Sequence, residues 1–438
     1  MKIIYILCIL FTTIFIILKL NNFENNFFLK NKNNNESNNQ TNCPIEPFQL
    51  LQITNDNKIK IEDNAKNIFS NLKGPLLIYS EIGYYSSFKS SRLDLYTMFL
   101  LKNEIKKNCN LKFFRVKIPK NGSSSSVDNE NNCLGSRGCT RGIWVQLIKI
   151  SDINNIIDNS LLSLKNSISN LFKQSQDGTI IFLDSEGSND PDGLSNFQIN
   201  TIQTILFSIS SSISYIEPLQ MNDDLIRNLA IKSFLFSMVL EYERYDNNIS
   251  RNSIDLPKFN LIFSSSANLQ LDFNPKIKNI SNQLDKTQYF YNYLNDNKKD
   301  ISSKRAINYF WGNNAIKSLV VLKATKNEMQ FFLNEFSKVK NVPKELIYSR
   351  EPGVMYSIVH KILPTILDSL SIKKYKGKVA NGNDILNIIL NIENAIENPI
   401  INKIFIMDVN VNFKSFVEIS KQPMEIKGNK YILKNILD

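Results

Sequence analysis

The sequence predicts an α/β protein whose central sheet is covered by helices on both faces. Three observations carry that prediction: short apolar runs alternate with longer helical stripes, one run leads into a glycine-started turn of phosphate-loop spacing, and another ends in D-x-x-G. Folding starts near Phe48, after a polar stretch without aliphatic periodicity. Residues 76–79 read as a buried strand, followed by the helical stripe Leu93, Tyr96, Leu100. Residues 112–116 and 143–148 read as strands, 180–183 as a strand followed by the stripe Ile202, Ile205, Ile209, and 261–263 as a further strand. The Gly-Ser run within 118–132 reads as a loop inserted in this body. Beyond Asp300 the pattern predicts mostly helix, over 327–338, 354–370 and 383–396, and no internal repeat interrupts it.

Bulk properties narrow the function classes. The formal charge of +11 is spread over scattered lysines with no long basic run, so no nucleic-acid partner is expected. Cys8, Cys43, Cys109, Cys133 and Cys139 show no C-x-x-C pair, and Cys133 and Cys139 read as loop thiols. The single histidine, His360, has no acidic or cysteine neighbours to complete a zinc site, which argues against a metal hydrolase. Asn-rich runs such as 31–42 reflect composition and carry little functional weight.

Residues 3–18 form an unbroken apolar or Thr run behind Lys2, as membrane targeting requires. The run is short for a membrane span, long for a signal core, and lacks an A-x-A-like cleavage site, so a cleaved signal and a short anchor both fit. Lys19, Lys30 and Lys32 follow it, and for an anchor this places the body in the cytosol. The chain then divides into a signal peptide or anchor (1–20), an Asn-rich linker expected to be disordered (21–45), a folded body (46–397) and a C-terminal extension (398–438). N-x-S/T sequons at Asn35, Asn39, Asn121, Asn248 and Asn279 would make a lumenal body a glycoprotein.

The chemistry is concentrated in two segments. From Gly83, the residues Tyr84, Tyr85, Ser86, Ser87, Phe88, Lys89 and Ser90 follow the spacing G-x-x-x-x-G-K-S/T, in which backbone N–H groups and a helix N-terminus cradle phosphate. Phe88 stands where the second glycine belongs, and a side chain there crowds the phosphate nest. The second segment, 179–187, is an apolar strand ending in Asp184-Ser185-Glu186-Gly187; such an Asp can orient magnesium-bound water and such a Gly amide can meet a γ-phosphate. Between them, Thr140 precedes a strand as a first switch would. Asn297-Lys298-Lys299-Asp300 spells the base-reading N-K-x-D but lacks a strand-then-loop context and reads as a decoy.

Leu134-Gly135-Ser136, Cys139-Thr140-Arg141-Gly142-Ile143-Trp144 and Phe182-Leu183-Asp184-Ser185-Glu186-Gly187 resemble the two switches of the guanylate-binding proteins and atlastins. Asn308-Tyr309-Phe310-Trp311, Gly377-Lys378-Val379-Ala380-Asn381-Gly382 and Asn394-Ala395-Ile396 are similar to the end of that family's G domain, so the resemblance covers about residues 48–397. It implies a P-loop Ras-like G domain with a mostly parallel central sheet, helices on both faces and a short C-terminal helical part. It also implies a GTP-binding protein acting at a membrane, with GTP or GDP and Mg2+ as ligands and a homodimer formed through the G domain. Carried over by position, Lys89 would bind β/γ-phosphates, Ser90 and Thr140 would hold magnesium, Asp184 would anchor its water shell and Gly187 would sense the γ-phosphate. The family's arginine finger falls on Ser86, which implies weak or slow hydrolysis, and its guanine-reading pair falls near Ala267 and Asn268. The implied location is a membrane such as the endoplasmic reticulum with the body in the cytosol. Two alternatives stand beside it: a catalytically dead dimerisation module, and a lumenal or secreted non-enzymatic binding protein.

Overall fold

The computed structural model describes residues 43–83, 89–114, 117–118, 142–154, 159–185, 194–218, 223–247, 255–264, 303, 307, 316–322, 344–348, 353–407, 415, 418–419 and 422–431. The chain divides into the units Met1–Cys43 and Pro44–Asp438, and the fold below belongs to the second. Its centre is an eight-stranded sheet: β1 (Phe48–Ile53), β2 (Ile59–Ile61), β3 (Leu76–Gly83), β4 (Ile143–Lys149), β5 (Thr179–Ser185), β6 (Ser212–Pro218), β7 (Lys258–Ser264) and β8 (Ile316–Leu322). The spatial order is β8-β7-β6-β3-β5-β4-β1-β2. The strands from β8 to β5 run parallel; β4 is antiparallel to both β5 and β1, and β2 is antiparallel to β1.

Alternation along the strands sends side chains to opposite faces, so one apolar strand feeds two cores. Leu76 and Ile78 of β3 pack with α1 (Asp63–Asn71), α4 (Asn196–Ile209), α5 (Asp223–Asn247), α7 (Gly382–Ile396) and α8 (Pro399–Ile406). Leu77 and Tyr79 pack with α2 (Lys89–Leu100), α3 (Leu162–Gln174) and α6, which runs through Val354–Ser357, a π turn at Ile358–Ile362 and Leu363–Ser369. The α/β expectation with helices on both faces therefore holds. Local chemistry sets helix starts: Ser195 and Gln198 form a capping box before α4, and Asn381 and Asp384 form one before α7.

Three local expectations change. Residues 112–116 do not join the sheet; Leu111–Lys112 pairs with Lys117–Ile118 in a separate two-stranded unit. Beyond Asp300, where helix was expected, Ile316–Leu322 forms the strand β8, because an apolar run of seven is settled by the partner edge of β7 and not by its own periodicity. The stripes on α2 and α4 are parts of helices buried almost all round, since each is enclosed by more than the sheet alone. The helix expected at 327–338 lies outside the described residues. In the C-terminal extension, Phe405 and Met424 join the same core as β1 and β3.

Candidate functional site

In open α/β sheets, ligands bind outside the carboxyl ends of the strands, where connections diverge to opposite sides. Here the chain leaves β3 toward β4 and β5 on one side, while β6 continues to β7 on the other, so the divergence lies between β3 and β6. The β3/β6 register ends with Gly83 opposite Ile216. Gly83 has φ 143°, and a Cβ there would collide with the Ile216 carbonyl oxygen. Only glycine permits that approach of the two backbones.

α2 starts at Lys89, six residues beyond Gly83. The Lys89 side chain is buried and its Nζ donates to the Gly83 carbonyl at 3.4 Å; Ser90, next on the helix, is buried too. The parallel pairing of β3 with β5 ends at Ser80–Leu183, so Asp184 follows on the same carboxyl edge, buried to 1% exposure. Gly83, Lys89, Ser90 and Asp184 are thus gathered at one end of the sheet. Tyr84, Tyr85, Ser86, Ser87, Phe88, Thr140, Gly187, Ala267 and Asn268 lie outside the described residues. The strands nearest to three of them have the expected places: β4 opens at Ile143 after Thr140, and β7 closes at Ser264 before Ala267 and Asn268. Gly142, ahead of β4, holds φ 79° where a Cβ would strike the Leu51 carbonyl oxygen.

Behind this edge sits a buried polar cluster that sequence reading did not anticipate. Glu81 of β3 is fully buried; its Oε2 accepts from Arg92 Nε at 3.1 Å and pairs with Nη2 at 3.0 Å. Its Oε1 accepts from the Tyr79 hydroxyl at 3.0 Å and the Tyr96 hydroxyl at 2.9 Å. Tyr79 Oη also lies 2.6 Å from Ser214 Oγ on β6. Burial, followed by the adjacent Glu81 carboxylate, drives both tyrosine hydroxyls well above their ordinary range. Burial opposes the Arg92 charge, yet Glu81 more than compensates and raises its pKa. The cluster ties β3, β6 and the second turn of α2 together, which fixes the helix that carries Lys89 and Ser90. The only signal for it was a charged residue inside an apolar strand and an arginine on the following helix.

Ser90 and Asp184 offer hydroxyl and carboxylate oxygen, the hard donors that Mg2+ takes. Among the described residues no group of three or more His, Cys, Asp or Glu could hold a metal ion. His360 sits in the π turn of α6, stacked on Tyr356 at 4.2 Å, and burial lowers its pKa. Cys43 and Cys109 are each disulfide-bonded, which their spacing did not announce. Among the described residues no helix is long and apolar enough to cross a membrane; residues 1–20 lie outside them.

The fold and this edge define an α/β protein with a mixed, mostly parallel sheet and, at its topological divergence, the end of β3 beside α2. No protein-family model and no curated protein matches the chain.

Proposed function

We propose that the Pro44–Asp438 body is a P-loop, Ras-like G domain of the guanylate-binding and atlastin class that binds GTP weakly with Mg2+ and hydrolyses it slowly. The observation that carries this reading is the buried set Gly83, Lys89, Ser90 and Asp184 on the carboxyl edge, beside the point where the sheet's connections diverge. In this reading the N-terminus of α2 would offer N–H groups and positive dipole to phosphate. The antiparallel pairing of β4 with β5, the strands that flank the two switch-like segments, supports it further. In this reading Lys89 meets the outer phosphates, Ser90 with Thr140 holds Mg2+, and Asp184 orients its water; the ion would neutralise charge on the phosphate oxygens. Phe88 weakens binding by crowding the nest, Asn268 weakens the reading of guanine, and Ser86 leaves the transition state without an arginine. Residues 1–20 bring the body to a membrane, and pairing of two bodies through the nucleotide face follows from the class.

A specific observation favours a second reading. Disulfides persist in oxidising compartments, so the bonded Cys43 and Cys109 favour a lumenal or secreted body that keeps the fold as a non-enzymatic pairing module.

Titrating a fluorescent GTP analogue with Mg2+ into the full chain separates the two. The first reading expects weak binding that Lys89→Ala abolishes and Phe88→Gly strengthens, with appreciable turnover only when Ser86→Arg is added. Absence of binding in both the natural chain and Phe88→Gly sinks it. Endoglycosidase sensitivity at Asn121 or Asn248 would favour the second.

A further inference from the structure

A short helix, Asn103–Asn108, follows α2 and ends on Cys109. The Cys109 N–H donates to the Ile105 carbonyl at 3.0 Å, so this residue still belongs to the last turn. Its side chain is 1% exposed, lies in the same core as Ile105, Leu111 and Phe113, and is disulfide-bonded. Three residues earlier stands Lys106. Residues i and i+3 of a helical turn are neighbours, so Lys106 and Cys109 share one side of it.

Lys106 is buried at 9% exposure, and among the described residues neither a carboxylate nor a hydrogen-bond acceptor meets its ammonium group. Burial alone lowers its pKa from 10.5 to about 8. The acids of the neighbourhood have other partners. Asp152 feels Lys149 and Lys102, Glu46 pairs with Lys112 at 3.8 Å, and Glu104 is exposed to solvent. Lys102, just ahead of the helix, donates its ammonium to the Ser151 carbonyl at 2.5 Å. A buried ammonium without a counter-ion is costly. The fold keeps this one a single turn from a sulfur that carries no charge while it is bonded.

Reduction supplies the missing charge. A reductant thiolate attacks the sulfur bonded to Cys109, the S–S bond breaks, and Cys109 leaves as a thiolate beside the Lys106 ammonium. A second reductant thiol resolves the mixed disulfide, the freed partner sulfur takes a proton, and the reductant pair is oxidised to its own disulfide. Stabilising the leaving thiolate both speeds the exchange and favours the reduced state at equilibrium, because Lys106 is paired only there. We propose that Lys106 is the waiting counter-ion of the Cys109 thiolate, and that the bond at Cys109 is a reversible redox switch that answers to small thiol reductants. The switch is separate from the carboxyl edge and does not depend on nucleotide.

The test equilibrates the full chain with glutathione over a range of reduced-to-oxidised ratios, quenches with N-ethylmaleimide in denaturant and reads the Cys109 peptide by mass spectrometry. Cys109 should pass reversibly between bonded and reduced forms within that range. Lys106→Met should need a glutathione pool about tenfold more reducing to reach the same midpoint, as one pKa unit of thiolate stabilisation implies. Lys106→Arg keeps the charge and should stay close to the natural chain. Urea unfolding separates this from packing: Lys106→Met should raise the midpoint of the bonded form, which loses an unpaired buried charge, and lower that of the reduced form, which loses an ion pair. A purely structural lysine would move both the same way. A midpoint unmoved by Lys106→Met, an equal shift in Lys106→Arg, or a Cys109 that stays bonded at every ratio overturns the inference.

Discussion

Lys89 and Lys373 stand at opposite edges of one sheet, and both are buried. Lys89 reaches back six residues to the Gly83 carbonyl, at a long 3.4 Å, from the first position of a helix. Lys373 reaches across the fold to Ser210 and Asp255, at 3.1 Å each, and locks the starts of two strands. The carboxyl edge therefore joins Gly83, Lys89 and Ser90, close together in sequence, to Asp184 of β5. The amino edge is assembled from distant segments whose lysine is held as a strut. The Lys89 ammonium is placed by local sequence and the Lys373 ammonium by packing of distant segments.

The largest effect that could break this comparison concerns the brace behind the carboxyl edge. Arg92→Met leaves the Glu81 carboxylate buried without its cation and should cost about 3–5 kcal/mol in urea unfolding. Glu81→Gln combined with Arg92→Met should cost less than the sum of the single changes, because the stranded charge is then gone. Additive losses would show that the pair is not coupled and that Lys89 is held by something else. Next in size is reduction of the bonded Cys43 and Cys109. Dithiothreitol should lower stability by about 2–4 kcal/mol, and an unchanged unfolding curve would remove the argument for an oxidising compartment.

Lys373 gives a pH signature that Lys89→Ala can be compared with. Burial depresses its pKa from 10.5 to about 8, the opposing pull of Asp255 and Glu243 notwithstanding. Between about pH 8 and 10.5 the unfolded chain thus binds more protons than the folded one, and stability rises with pH through that window. The natural protein should gain up to about 3 kcal/mol there relative to Lys373→Met, which lacks the group. A parallel pH profile for the two would mean that the strut stays charged and solvated. The smallest effect is at the surface: Lys66→Ala removes the exposed ion pair with Asp63 and should leave the unfolding midpoint unmoved, which calibrates the other changes.

What the sequence determined by itself follows from short-range physics. Alternating apolar runs and helical stripes specify buried strands between covering helices, and the Gly83–Ser90 segment specifies a strand, a turn and a helix start, because every residue involved is within a few positions of the next. The same periodicity could not separate a strand from a helix at 316–322, where pairing with β7 decided the outcome. Glu81 finds its cation, Arg92, on the very next helix, but tertiary structure alone decided the longer-range contacts of the buried polar groups. Glu81 meets Ser214's strand through Tyr79, and Lys373 meets Ser210 and Asp255, across separations of more than a hundred residues that carry no periodic signal. A charge taken out of water must find its partner wherever the completed fold supplies one, so the identity of that partner exists only once the chain has closed on itself.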